Sequence, residues 1–175
     1  VVFHATEAVR AELVRHGLAD PGRLVHVPYG VSAAFSPTAA APARLPWLAP
    51  LAGRPWVLHV GSCAPRKRTD VLLDAVALAR RAVSGLWLVK VGGDWSAADR
   101  ARIARHDLAD ALVHVGGLTD AELAEAYRRA PLVLLPSARE GFGLPVAEAL
   151  ACGAAVLASD LPAVCEAGGD AAVYR

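Results

Sequence analysis

The sequence has 175 residues, a formal net charge of +1 at pH 7 and 55% hydrophobic residues. This length suits one domain with a sizeable core, and the small net charge gives no indication of a nucleic acid partner. No apolar segment reaches the length of a membrane span, and no signal peptide is visible.

Apolar periodicity predicts a lead-in region followed by strands that alternate regularly with helices. The lead-in consists of a helix over 6–16, a strand over 24–27 and a loop over 33–55. Strands then follow at 56–60, 86–91, 112–115, 132–135 and 155–158. The helices between them are predicted at 70–81, 97–106, 120–129 and 144–151. Near-continuous apolar strands that alternate with helices indicate an α/β domain, with helices on both faces of a parallel sheet.

The loops after the predicted strands contain the candidate binding residues. They cover 61–67, 92–94, 116–119, 137–143 and 159–160. Parallel sheets bind ligands beyond the carboxyl ends of their strands, so we expect these loops to converge on one site. The G-x-G-x-x-G pattern of dinucleotide-binding sheets is absent, and so is a P-loop sequence.

A Gly-rich loop, Glu140-Gly-Phe-Gly143, separates the strand predicted over 132–135 from a helix that opens with Leu144-Pro145. Proline suits the first helical turn, where an N–H group has no partner in the helix. Such a turn presents free N–H groups at the positive end of a helix dipole, which makes a seat for phosphate. In the chain, Glu140 precedes this candidate phosphate site and Glu148 follows it. This arrangement suits a nucleoside diphosphate with hydroxyl-rich groups at both ends.

Glu140 and Glu148, with seven residues between them, resemble the paired glutamates of retaining glycosyltransferases of the GT-B fold, in particular family 4 (glycosyl transferases group 1). Other segments are similar to that family in pattern and order; they are 26–31, 35–37, 59–67, 114–120 and 162–172. The resemblance covers most of the chain. It implies a Rossmann-like sheet that forms the C-terminal, donor-binding half of a GT-B enzyme.

The resemblance also implies a division of the chain. Residues 1–54 would be a helix, a short strand and a linker, and residues 55–175 the domain that binds a nucleotide sugar. The acceptor-binding domain would precede this sequence, which contains no Met even at position 1. We therefore expect a piece of a longer protein. Its acceptor, whether glycan, lipid or small molecule, and any peripheral membrane contact would belong to the missing domain.

Arg66, Lys67 and Glu140 are the catalytic residues that the resemblance implies. Arg66 and Lys67 would bind the diphosphate, and Glu140 would contact the hydroxyl groups of the donor sugar. The charge run continues into Arg68, so a solvated basic turn is the alternative interpretation of these cations. Ser62 stands where the family often has an Arg, which gives Arg66 and Lys67 more of the phosphate role.

The resemblance places the ribose hydroxyls of the nucleotide against Glu148. The alternative is an acid that is favoured only by the helix dipole. Residues 115–118 stand where the family holds the base, although packing at a strand end explains them equally well. The predicted donor-binding residues besides Glu148 are Gly61, Ser62, Val115, Leu118, Gly141, Phe142, Gly143 and Leu144.

The predicted function is retaining glycosyl transfer from a nucleotide sugar, with GDP-mannose favoured and a UDP-sugar next. Neither a metal nor another cofactor is expected, since protein cations would stabilise the leaving diphosphate. The alternatives are a non-catalytic sugar-nucleotide-binding module and a nucleotide-sugar epimerase of the same fold. Cys63, Cys152 and Cys165 lack metal-ligand spacing, so we expect free thiols in the cytoplasm.

Overall fold

The computed structural model describes residues 1–39 and 41–175. Its strands are β1 Val2–His4, β2 Leu24–His26, β3 Trp56–Val60, β4 Trp87–Val91, β5 Leu112–Val115, β6 Val133–Leu135, β7 Val156–Ala158 and β8 Val173–Tyr174. Six of these strands form the central sheet, in the order β5-β4-β3-β6-β7-β8. All neighbouring strands in it run parallel, so the predicted parallel α/β sheet is confirmed.

Helices pack on both faces of this sheet. They are α2 Thr69–Ala79, α3 Ala97–Arg105, α4 Asp120–Arg129, α5 Leu144–Ala151 and α6 Pro162–Gly168. The N-terminal region contributes a separate helix, α1 Glu7–Arg15, which lies against α6. Successive residues of a strand point to opposite faces. Val57 and Leu88 therefore pack in the cluster that contains α2 and α3. Leu58 and Val89 pack in the cluster that contains α4, α5 and α6.

Side-chain caps fix the start of the two helices that flank β5. Ser96 and Asp99 form a reciprocal capping box at α3, and Thr119 and Glu122 form another at α4. Each box satisfies two backbone N–H groups that have no partner within the helix. None of the described helices has the length and apolar character that a membrane crossing requires.

The first residues form a small unit of their own, in which β1 pairs in parallel with β2 and α1 connects them. Thr6 caps α1 by accepting a hydrogen bond from the N–H of Val9. Several contacts attach this unit to the main domain, and in one of them His26 Nε2 lies 3.6 Å from Glu166 Oε1. The N–H of Glu7 donates to the carboxylate of Glu166, with the nearer oxygen at 2.9 Å, and Thr6 Oγ1 donates to the carbonyl oxygen of Gly141 at 3.0 Å.

Every predicted strand and helix is present, with bounds that agree within two residues. The structure adds β1, β8 and α6, which were not predicted from the sequence. It also corrects the loop predicted over 33–55, because Pro46–Leu51 forms a 3-10 helix. Pro46 lies in the first turn, where it needs no N–H partner, and Leu51 at the other end is buried in the core. Composition rich in Ala and Pro concealed this element.

His59 in β3 is fully buried, and its Nδ1 lies 2.9 Å from the carbonyl oxygen of Leu134. Its Nε2 has no hydrogen-bond partner among the described residues. Burial lowers the pKa of His59 from 6.5 to about 4, because the imidazolium would lose its hydration.

We expect the free energy of unfolding to decrease as the pH falls from 6.5 towards about 4. The folded pKa is the lower one, so the unfolded chain takes up a proton in this range and the folded chain does not. The contribution is about 3 kcal/mol at most. Urea denaturation across this range should show a smaller pH dependence for His59→Gln than for wild type. The exposed His16→Gln is the matched control, and equal pH dependence in wild type and His59→Gln would contradict the assignment.

Candidate active site

The order of the sheet reverses between β3 and β6, and the loops after these strands lie side by side. The N–H of Ala138 donates to the carbonyl oxygen of Arg66 at 2.7 Å, which joins the two loops directly. In open parallel sheets, such a reversal leaves a crevice beyond the strand ends in which ligands bind. The two loops that the sequence predicts to bind a diphosphate therefore meet at this crevice.

The three predicted catalytic residues come together here. Lys67 Nζ lies 2.5 Å from Glu140 Oε1, and Arg66 Nη1 lies 3.2 Å from Glu140 Oε2. Ser137 Oγ donates a further hydrogen bond to Glu140 Oε1 at 2.7 Å. The side chains of Lys67 and Glu140 are only 8% and 7% exposed, whereas that of Arg66 is 51% exposed. Burial of these charges is tolerated because each is paired and the carboxylate has additional donors.

Lys67 reaches this position through a short 3-10 helix, Pro65–Lys67, that directs its side chain inward. Arg68 then adopts a left-handed φ of 51° immediately before α2. Its guanidinium binds Asp70, with Nε at 2.9 Å from Oδ1. The interpretation as a solvated basic turn therefore holds for Arg68, and the burial of Lys67 against Glu140 excludes it for that residue.

The loop from Gly141 to Gly143 leads into α5 with its N–H groups unused. Gly143 has a φ of 99°, which favours glycine, and no side chain caps the helix. Among residues 1–39 and 41–175, none accepts a hydrogen bond from the N–H groups of Gly141, Phe142, Gly143 or Leu144. Consecutive free donors at a helix N-terminus form the seat that an anion such as phosphate requires.

Two glycines bring the loops after β3 and β4 into close contact. Gly92 has a φ of 107°, and a Cβ atom there would lie 2.6 Å from the carbonyl oxygen of Gly61. Ser62 follows at the surface, and its Oγ accepts a hydrogen bond from the N–H of Ala64 at 3.4 Å. In the structure this hydroxyl serves the turn and contacts neither Lys67 nor Glu140.

Glu148 lies half-buried on α5, beyond the first turn of that helix. Tyr127 Oη of α4 donates to Glu148 Oε2 at 3.1 Å. Burial raises the pKa of Glu148, the hydrogen bond from Tyr127 opposes this, and the negative charge of Asp120 adds to it. The helix dipole therefore does not account for this acid. Among the described residues, Tyr127 is the one donor to this carboxylate, so it has further capacity to accept hydrogen bonds.

The predicted base-binding segment, 115–118, leaves the end of β5 and leads into α4. Val115 and Leu118 are half-buried, and Leu118 packs against the larger core cluster. Asp120, in the first turn of α4, is close enough to Glu148 to influence its pKa. The structure therefore brings the segment predicted for the base close to the acid predicted for the ribose.

An open cavity of about 650 Å³ lies in front of the Lys67–Glu140 pair. Phe3, His4 and Tyr29 of the N-terminal region line its opposite wall. The ring of Tyr29 meets that of Phe142 edge-on, with the centroids 5.5 Å apart. In the described part of the chain, no three His, Cys, Asp or Glu side chains cluster in a way that could hold a metal ion.

The family model described as Glycosyl transferases group 1 matches residues 49–172. The chain belongs to this family. D-inositol 3-phosphate glycosyltransferase of Kineococcus radiotolerans is 36% identical over 167 residues, which cover 88% of this chain and 38% of that protein. The chain thus spans less than two fifths of the length of this relative.

Two solved structures share the fold of this glycosyltransferase chain. Anabaena HepE, in complex with UDP and glucose, matches 95% of this chain and 46% of its own with a TM-score of 0.81 and 21% identity. Sucrose-phosphate synthase of Thermosynechococcus elongatus matches 99% of this chain and 44% of its own with a TM-score of 0.77 and 26% identity. The predicted Rossmann-like fold of a GT-B glycosyltransferase is confirmed.

Sequence reasoning did not single out several residues of this candidate site. Ser137 and Tyr127 bind the two predicted glutamates, and Phe3, His4 and Tyr29 line the cavity. Ser137 stands three residues before Glu140 in the same loop, so its position was a usable signal. The others lie on separate elements, and no spacing along the chain indicates their proximity.

Gly92→Ala should destabilise this glycosyltransferase chain by roughly 1–3 kcal/mol, because the new Cβ collides with backbone and the positive φ is unfavourable. The free energy of unfolding in urea measures the effect. Gly30→Ala is the matched control, since a Cβ there would have no atom within 4 Å. If the two variants were equally stable, the close approach of Gly92 to Gly61 would not constrain the fold.

Proposed function

We propose that this chain is the donor-binding part of a retaining, metal-independent glycosyltransferase that uses a nucleoside-diphosphate sugar. The observation that carries the proposal is the position of Lys67 and Arg66. Both cations form ion pairs with Glu140 where the sheet order reverses. The free N–H groups of Gly141–Leu144 come directly after Glu140 in the chain. Membership of the family supports the reaction class.

The cations would act on the leaving group. When the bond between the anomeric carbon and the phosphate oxygen breaks, that oxygen keeps the electron pair and the nucleoside diphosphate gains negative charge. Lys67, Arg66 and the N–H groups at the start of α5 would stabilise this charge, which is electrostatic catalysis by groups already in place. Fixed protein cations of this kind can replace a divalent metal in the reaction that we propose.

Glu140 would have two roles in this mechanism. Its carboxylate holds the ammonium of Lys67 in the structure, and it would also accept hydrogen bonds from hydroxyl groups of the donor sugar. We propose that the acceptor attacks from the face on which the diphosphate leaves. The leaving phosphate oxygen would then take the acceptor proton, so the configuration of the anomeric carbon is retained.

We propose Glu148 for the ribose hydroxyls and residues 115–118 for the base. GDP-mannose is the donor that the sequence favours. UDP-sugars are the other candidates, and the UDP bound to HepE supports them. The acceptor site would belong to the part of the protein that precedes this sequence. The name of the Kineococcus relative makes inositol phosphate an acceptor to test first, and free cysteines support a cytoplasmic setting.

Calorimetric titration of the full-length protein with GDP, UDP and ADP in EDTA should show selective binding of one nucleotide. Glu148→Ala should weaken it by roughly tenfold or more, since hydrogen bonds to a charged acceptor are lost. Glu12→Ala on the exposed face of α1 is the matched control. If Glu148→Ala bound the nucleotide as tightly as the wild type, the ribose role of Glu148 would be wrong. If the wild type bound nucleotide but transferred no sugar, the protein would be a binding module.

Lys67→Ala should lower turnover of the full-length enzyme by about 100-fold or more and affect donor affinity less, because the charge develops in the transition state. The change also leaves a buried carboxylate with fewer partners, so the stability of the variant must be measured alongside. Arg68→Ala removes a neighbouring exposed cation and serves as the control. Unchanged turnover in Lys67→Ala would exclude the proposed role.

A further inference from the structure

Tyr127 is fully buried on α4, and its ring packs edge-on against Phe35 at 6.0 Å between centroids. A buried phenol needs a partner for its hydroxyl group. Tyr127 Oη has this partner in Glu148 Oε2, at 3.1 Å on the neighbouring helix α5. Within the described residues, this is the one hydrogen bond that any group donates to the carboxylate of Glu148. The core therefore determines where the hydroxyl lies, and the hydroxyl determines where Oε2 lies.

We propose that Tyr127 is a positioning residue for nucleotide binding: it holds Oε2 of Glu148 so that the carboxylate meets the ribose hydroxyls of the donor in one orientation. This inference rests on the ribose role proposed for Glu148. Tyr127 touches no part of the nucleotide in this arrangement and acts only through the acid. A flexible Glu side chain would otherwise lose rotamer freedom each time that nucleotide binds.

The same hydrogen bond favours the charged, accepting form of the acid. Burial raises the pKa of Glu148, and the bond from Tyr127 lowers it. The other titratable groups facing Glu148 are Asp120 of α4, whose charge raises the pKa further, and Cys152 at the end of α5, whose own thiol pKa is raised by burial. Burial also raises the pKa of Tyr127 well above its ordinary value, so its hydroxyl stays a donor.

The affinity of this site for a ribonucleotide should depend on pH. Ribose hydroxyls donate to a carboxylate, so affinity for a ribonucleotide falls as the pH drops through the pKa of Glu148. Removal of the Tyr127 hydroxyl takes away a contact that favours the charged acid. The loss of affinity must then begin at a higher pH than in the wild type.

The test uses Tyr127→Phe in the full-length protein, because this change deletes one oxygen atom and keeps the ring. Calorimetry from pH 5 to pH 9 would compare the preferred ribonucleoside diphosphate with its 2′-deoxy form. Both carry the same diphosphate, so the ratio of their Kd values isolates the ribose. The wild type should favour the ribose form by roughly tenfold or more at neutral pH. Tyr127→Phe should lose most of this preference at neutral pH. The midpoint, which is the pH at which half of the remaining preference is lost, should also be higher than in the wild type.

Tyr174→Phe is the matched control, since that hydroxyl donates to the carbonyl oxygen of Gly169 and not to Glu148. This variant should retain the wild-type preference for the ribose form and lose it at the same pH as the wild type. A double-mutant cycle with Glu148→Gln gives a second measurement. In that background, which cannot titrate, Tyr127→Phe should have little further effect on the ribose preference, and equal effects in both backgrounds would overturn the proposal.

Three failures are distinguishable. If the wild type prefers the ribose form, if Glu148→Ala abolishes this preference and if Tyr127→Phe leaves preference and midpoint unchanged, then Tyr127 is only a core residue and the inference is wrong. If the wild type binds nucleotide without any ribose preference, the role of Glu148 fails and the inference fails with it. If no nucleotide binds to the wild type, the proposed function itself is overturned.

Discussion

The buried ion pair between Lys67 and Glu140 joins the loop after β3 to the loop after β6, and the geometry of the candidate active site depends on it. Buried charges need several partners, and Arg66 and Ser137 complete the set around the carboxylate. The two paired residues lie 73 positions apart in the chain. They meet because the sheet order places their strands side by side, where a parallel sheet also opens its ligand crevice.

Backbone atoms form the surroundings of this pair. Gly92 packs against the carbonyl of Gly61, so the loop after β3 cannot move without the loop after β4. The loop after β6 presents unused N–H groups. The hydroxyl of Thr6 donates a hydrogen bond to the carbonyl oxygen of Gly141 in this loop. The N-terminal unit is therefore attached directly to the loop for which we propose phosphate binding.

Apolar runs between turn residues were predictable even where the strand is short, as in β6 and β7, whereas β1, β8 and α6 were not predicted. β3 and β5 have the predicted bounds because each is a mainly apolar run, interrupted by one His, that glycine follows. β1 and β8 contain three and two residues, and pairing with distant strands supplies their stability. α6 has no side-chain cap, and its burial against the sheet replaces the missing local signal.

The sequence by itself determined the α/β class and the order of the loops, because periodicity and Gly-Pro placement are local properties. It also made Glu140 and Glu148 candidates for ligand binding, which stays a prediction. Only the tertiary structure decided that Lys67 is buried on Glu140 while Arg68 is solvated, and that Tyr127 holds Glu148. Those contacts join residues on different elements. They depend on how the helices pack on the sheet, which no spacing along one chain specifies.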